Sequence, residues 1–200
     1  MYTRVLTGLF WFANAVTAVA LPPELQIETT SGPVQGIYND TSSTVRAFLG
    51  IPYAEPPTGN HRFAPPRPKS PSPGDSSSHP INASAFSGPC PQAYQPSNQS
   101  IWSILPYEIY NPAQMSEDCL SVNVWAPAVQ RLGKERGVND GKAAVMVFIH
   151  GGAFTEGAGS VGFYDGSNLV REQEGVIVVT FKYFSDLYFP LIYPWKGREG

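Results

Sequence analysis

The stretch Ala143-Ala-Val-Met-Val-Phe-Ile-His-Gly-Gly-Ala-Phe154 constrains the fold more than any other part of the chain. Ala143 to Ile149 is apolar and rich in β-branched side chains, the composition of a strand buried on both faces in a parallel sheet. Such a strand cannot run on through His150-Gly151-Gly152. The two glycines open backbone conformations closed to other residues, so successive amide N–H groups can turn toward one point and form an anion-binding nest. Acyl transfer needs such a point, because its tetrahedral intermediate carries an oxyanion, and losing one donor costs about 2.7–4 kcal/mol of transition-state stabilisation. A plain glycine-rich strand-to-loop connection accounts for the same residues, and at this level both readings stand.

The elements around this stretch predict a mixed α/β architecture. Val176 to Phe181 is a second apolar, β-branched strand, and Leu169 to Glu174 reads as a short helix between the two, capped by Ser167 or Asn168 and closed by Gly175. Strands separated by a helix argue for a parallel pair in one sheet. Upstream, Leu120 to Trp125 alternates so that Leu120, Val122 and Val124 share one face, and Pro127 ends the strand. Val129 to Lys142 reads as a charged, glycine-rich, solvated connection. Gln26–Thr30 and Pro33–Tyr38 flank a turn at Ser31-Gly32, and with Thr44–Leu49 they predict a small antiparallel meander. Between Pro52 and about Ser100 the chain is dominated by Pro, Ser, Gly and Asn, and read alone it passes for a disordered linker.

A net charge of −3 with 14% charged residues offers no basic surface for nucleic acid or an anionic membrane. Residues 1–20 read as a signal peptide: Arg4 gives the positive end, Val5 to Val16 the apolar region and Ala18-Val-Ala20 the small-residue cleavage site, leaving Leu21 as the mature start. The apolar region is too short to span about 30 Å of hydrocarbon, so no membrane span is expected after cleavage, and the protein is expected to be secreted. Three sequons, at Asn39, Asn82 and Asn98, lie in polar, turn-rich stretches that the secretory route would expose to glycosylation. Two cysteines and three scattered histidines do not make a metal site, so neither metal nor cofactor is expected.

Four motifs in order, Phe48-Leu-Gly-Ile-Pro-Tyr-Ala-Glu-Pro-Pro57 continuing to Arg62-Phe-Ala-Pro-Pro66, Ser116-Glu-Asp-Cys-Leu-Ser-Val-Asn-Val-Trp-Ala-Pro127, the glycine turn, and Tyr164-Asp-Gly166, resemble the N-terminal portion of the type-B carboxylesterase/lipase family. Fungal lipases, animal carboxylesterases and cholinesterases belong to it. The resemblance runs from about Ile27 to Phe181 and implies an incomplete α/β-hydrolase fold: the N-terminal meander and the first strands of the central sheet, with much coil. It therefore divides the chain into a signal peptide at 1–20, the N-terminal part of the family domain at 21–181 and a divergent tail at 182–200. It also implies a secreted hydrolase of small-molecule or lipid esters, working through an acyl-enzyme.

In that family a serine on a Gly-x-Ser-x-Gly elbow, then an acid, then a histidine, follow the oxyanion loop in chain order. No serine here has glycines two residues before and two after; Ser160, in Gly159-Ser-Val-Gly162, fails. His61, His79 and His150 all lie upstream of the family's catalytic histidine. The chain is thus expected to be a fragment, the leading third or so of the domain, inactive alone. A non-catalytic binding or adhesion relative and a non-functional truncated product are the alternatives.

By position, the resemblance gives the oxyanion donors as Gly152 and Ala153, with Gly151 shaping the turn. The alanine departs from the family's glycine but keeps the N–H, although it tolerates positive φ less well. His150 reads as structural, bonding backbone near the turn. Glu117 and Asp118 read as ion-pairing residues, with Arg46 or Arg62, and Tyr164-Asp-Gly166 as packing beneath the site. Cys90 and Cys119 are expected to pair, as the family's Glu-Asp-Cys-Leu cysteine commonly does and as an oxidising compartment allows; the loop closed is worth about 3–4 kcal/mol in the chain-entropy picture. The proline-rich stretch is expected to be ordered coil pinned by Phe63, Phe86, the aromatics near Trp102 and that disulfide. Beyond Phe181 the family continues Asn-Tyr-Arg, where this chain has Lys182-Tyr183-Phe184 and an aromatic, proline-punctuated run to Gly200. A reading frame that passes a splice site accounts for such an ending better than an evolved terminus does.

Overall fold

The structure is a computed structural model and describes residues 22–70, 80–92, 115–129, 142–152, 156–173 and 175–183. Its frame is a five-stranded mixed sheet in the order β3-β4-β6-β8-β7, built from Ile37–Tyr38 (β3), Val45–Pro52 (β4), Ser121–Pro127 (β6), Val176–Phe181 (β8) and Ala144–Phe148 (β7). Gln26–Thr29 (β1), Gly32–Gln35 (β2) and Ile81–Asn82 (β5) form a smaller sheet. The one α-helix among the described residues, Ser167–Glu172 (α1), lies between β7 and β8 in sequence. As expected of helix-separated strands, β7 and β8 pair parallel, from Ala144↔Val176 to Phe148↔Thr180. The other pairings in this sheet are antiparallel.

Strand β4 is covered on both sides because its alternation serves two cores. Val45, Ala47 and Leu49 pack with Trp125, Val178 and Val170 of α1. Phe48 and Ile51 pack with Val34 and Ala83 of the small sheet, and Val122 and Val124 press against them. The register shifts between Phe48 and Ile51, so that Phe48 and Ile51, three apart in sequence, face the same core. The result is three layers: helix, large sheet, small sheet.

Several expectations need correction. The run Pro33–Tyr38 is not one strand of a meander. It splits at Gly36, whose N–H donates to Leu25 O at 2.7 Å, so β2 pairs with β1 while β3 joins β4 in the other sheet. In β6 the more deeply buried residues are Ser121, Asn123 and Trp125 rather than the apolar set, and Leu120 precedes the strand to join the disulfide cluster. Asn123 can be fully buried because its polar atoms are satisfied: Gly50 N–H donates to Oδ1 at 2.8 Å, and Nδ2 donates to Thr180 Oγ1 at 3.0 Å and Gly159 O at 3.2 Å. Helix α1 begins earlier than expected, after Gly166, and Asp165 Oδ1 accepts the Ser167 N–H at 2.8 Å instead of a Ser167 or Asn168 cap.

The largest departure is β7. Its sequence demands burial, yet all five residues are exposed, with Val145 at 60% and, just beyond, Ile149 at 65%. It is the terminal strand of the sheet, paired through one edge to β8.

The proline-rich region holds little regular structure in its described parts: β5, a short 3-10 turn at Gly59–His61 and the bridges Leu49↔Ser84 and Ala54↔Pro68. Phe86 packs on Trp125, with ring centroids 6.1 Å apart. Phe63, also expected to pin this coil, is 48% exposed at φ 58. Cys90 and Cys119 are joined by a disulfide and bury with Ala54 and Leu120. Trp102, Asn98, His79, the signal segment, the connection over 130–141 and the tail from Phe184 lie outside the described residues.

Candidate active-site turn

The β7–β8 ladder ends at Phe148↔Thr180, so the amides of His150, Gly151 and Gly152 lie past the sheet, at the carboxyl end of a parallel strand, where open α/β sheets place their ligands. His150 is buried and fixed on three counts. Its Nδ1 lies 2.9 Å from Gly151 O, and since a carbonyl only accepts, Nδ1 carries the hydrogen. Its ring stacks on Tyr183 at 4.3 Å, and Tyr183 OH donates to His150 O. Burial holds the imidazole below its ordinary pKa, with the Lys182 charge adding to that against the Gly151 bond. A neutral, stacked, backbone-bonded imidazole supports the turn; it is not placed to exchange protons.

Gly152 sits at φ +132, where a Cβ would run into the Glu156 carbonyl, so the position admits glycine alone. Gly152 O accepts the Glu156 N–H at 3.0 Å. Ala153, the second expected donor, lies outside the described residues.

The returning loop lies directly on the turn. Gly157, at φ +116, leaves room where a Cβ would come within 2.5 Å of Gly151 O and 2.6 Å of His150 Nδ1. Gly159 O then accepts from Asn123 and, at 2.6 Å, from Thr180 Oγ1, which ties the loop to β6 and β8. Ser160 lies in this loop, partly buried. Phe148 and Tyr164 pack with ring centroids 4.5 Å apart, and Gly166 lies close against Val178 and Trp125, so Tyr164-Asp-Gly166 packs against the sheet.

Lys182 was legible only as a departure from the family pattern, and the structure buries it almost completely. Its Nζ donates to Ser87 O, to Ser87 Oγ at 2.7 Å and to Gly88 O at 2.6 Å, while its own N–H and O meet Ser121 O and Tyr53 OH. Burial pushes the ammonium down to about 7 and the Tyr53 hydroxyl up to about 12. Lys182 thus pins the coil before the disulfide to the end of β8.

The other expected residues divide clearly. Arg62 pairs with Glu117 through two bonds, 2.5 Å and 2.7 Å, whereas Arg46 belongs elsewhere, donating to Pro127 O at 2.9 Å and Glu24 O at 3.0 Å. Asp118 is exposed beside Ser116. Asn39 Nδ2 donates to Ser167 Oγ at 2.6 Å and Asp165 Oδ2 at 3.1 Å, tying the β3–β4 hairpin to α1. Asn82 is exposed, and its Oδ1 accepts the Ser84 N–H at 3.1 Å. Among the described residues no three His, Cys, Asp or Glu side chains gather as metal ligands, and no helix is long and apolar enough to cross a membrane.

A glycine turn at the carboxyl end of a strand, followed by a helix and a parallel return strand within a mixed sheet, is the leading part of an α/β-hydrolase fold. The chain belongs to the carboxylesterase family, whose model matches residues 23–184. It is 40% identical to acetylcholinesterase of Electrophorus electricus over 80% of this chain and 23% of that protein. It is 35% identical to fumonisin B1 esterase of Sphingopyxis macrogoltabida over 99% of this chain and 32% of that one. Among solved structures, a PNB esterase superimposes with a TM-score of 0.62 at 36% identity, covering 81% of this chain and 28% of the esterase. The chain therefore spans from 23% to 32% of the length of these relatives. The family match also takes in Lys182 and Tyr183, beyond the Phe181 where the motifs fade.

Proposed function

We propose that this chain carries the oxyanion turn of a secreted serine-type carboxylic ester hydrolase, and that its 200 residues do not turn over ester by themselves. The observation that carries the reading is Gly152: a glycine-only backbone at φ +132, held past the end of the β7–β8 ladder by a buried, neutral His150. In such a site the Gly152 and Ala153 N–H groups donate to the oxyanion of the tetrahedral intermediate, and Gly151 lets the chain turn there. The nucleophile, its acid and its base are not among these residues, so the charge the turn would stabilise is generated by sequence the chain does not contain. The esterase relatives support ester substrates. Secretion rests on the signal-like residues 1–20, and of the two sequons among the described residues Asn82 is the favoured glycan acceptor, because the Asn39 amide is committed to Ser167 and Asp165.

The test is a chimera in which residues 23–183 replace the matched segment of PNB esterase. Hydrolysis of a short-chain nitrophenyl ester is expected, with kcat falling about 10²–10³-fold on Gly152→Val, because a side chain there meets the Glu156 carbonyl and turns the Gly152 N–H away from the oxyanion. A chimera whose kcat is indifferent to Gly152 would end the oxyanion reading. The chain alone should hydrolyse no faster than a boiled control.

A further inference from the structure

We propose that Gln92 is the positioning residue of the glycine turn, transmitting the disulfide's anchorage to the Gly151–Gly152 backbone through Gly157. This rests on the oxyanion reading above. Gly157 N–H donates to Gln92 Oε1 at 2.7 Å, and Gln92 Nε2 donates to Gly157 O at 3.2 Å, so one side-chain amide saturates both polar groups of one backbone residue. The same Nε2 donates to Cys90 O at 3.2 Å, which fixes the amide plane relative to its own backbone. Cys90 is in turn bonded to Cys119, immediately before β6. A continuous line of short contacts thus runs from the sheet through the disulfide to Gln92 and on to Gly157.

Gly157 is the right residue to receive that line. It lies against Gly151 O and His150 Nδ1 so closely that no side chain fits between them. Whatever fixes Gly157 fixes the carbonyl of Gly151 and, through the rigid peptide plane, the direction of the Gly152 N–H. The loop is tied again two residues later, where Gly159 O meets Asn123 and Thr180, but those bonds hold its far side against the sheet. Gln92 holds the side that touches the turn. A carbonyl could satisfy only one of the two Gly157 groups and a hydroxyl must serve both from a single oxygen, whereas a primary amide, or a protonated carboxyl, offers an acceptor and a donor side by side on separate atoms.

The test reads single backbone amides of the 200-residue chain by NMR hydrogen exchange and chemical shift. In Gln92→Ala, Gly157 exchange should accelerate at least about tenfold, the Gly151 and Gly152 resonances should move, and exchange in the β4–β6 pairing should stay as it was. Reducing the disulfide should move the same three glycines in the same direction. Should the alanine variant fail to fold, Gln92→Glu serves: its protonated carboxyl reproduces the paired donor and acceptor, so the Gly157 amide should titrate with that carboxyl and regain protection at low pH. Unchanged Gly157 exchange in Gln92→Ala, or a loosened Gly157 with Gly151 and Gly152 unmoved, overturns the proposal. Failure of the oxyanion reading shows separately, as a Gly152-indifferent chimera, and leaves these amide measurements unaffected.

Discussion

Strand β4 is sealed on both faces, with Val45 and Ala47 wholly buried and Phe48 nearly so, whereas β7, just as apolar, leaves Val145, Met146, Val147 and Phe148 exposed. The two strands differ in neighbours, not in residue type. α1 and the small sheet cover β4, and β3 and β6 take both its edges. One edge of β7 pairs with β8, and its faces meet little of the described chain. Hydropathy records that a strand requires cover; it does not record where the cover comes from. The matched PNB esterase is more than three times longer than the segment shared with this chain, so the relatives have ample further sequence to lay over that strand. An uncovered apolar edge strand is also an association hazard.

That contrast can be broken by experiment. Phe48→Ala should destabilise by about 3–5 kcal/mol in urea unfolding, the cost of emptying a packed aromatic site, while Val145→Ala should stay within about 0.5 kcal/mol. Equal costs would mean that β7 is covered after all. Next in size, reducing Cys90–Cys119 should cost about 3–4 kcal/mol, since the bridge closes a 29-residue separation beside the β4–β6 half of the sheet. Replacing Asn123 by Ala should cost about 1–3 kcal/mol, because the Gly50 N–H and one bond to Gly159 O lose their partner.

Acidity probes the same well-packed half. The folded chain releases the Lys182 proton near 7 while the unfolded chain keeps it to about 10.5, so between those values the unfolded state binds more protons and stability rises with pH. His150, also depressed, adds a further loss as pH falls below 6.5. Above pH 10 the raised Tyr53 reverses the slope, because the folded chain then holds the proton that the unfolded chain releases. Urea midpoints should therefore climb from pH 6 to a maximum near 10 and then fall, and Lys182→Met should flatten the climb above 7. The smallest effect on stability and the clearest on behaviour is expected from Val147→Lys: an unfolding midpoint close to the parent's with less self-association in sedimentation, since a charge on an exposed edge opposes pairing between copies.

Much of this molecule was legible because local chemistry leaves few choices. Four short motifs fixed the family; the β-branched run Val176–Phe181 gave a strand with the expected bounds; the glycine pair after Ile149 gave the turn. The pairing of Cys90 with Cys119 and of Arg62 with Glu117 also followed the expected pattern. Gln92, Gly157 and Lys182 were not legible as parts of the turn's support, because each acts on a residue at least 60 positions away or on a backbone group that carries no sequence signal.

The sequence by itself determined which segments extend, where the backbone must turn with φ > 0, and that a glycine turn follows the apolar strand without a Gly-x-Ser-x-Gly elbow elsewhere in the chain. Those are properties of single residues and their neighbours: β-branching, the absent Cβ, the spacing of glycines around serine. Tertiary structure alone decided that Asn123 is buried and β7 is not, that Pro33–Tyr38 divides between two sheets, and that one glutamine amide clamps the returning loop. Each of those depends on which groups meet across the fold, and burial and hydrogen-bond satisfaction are properties of the pair that meets rather than of either partner.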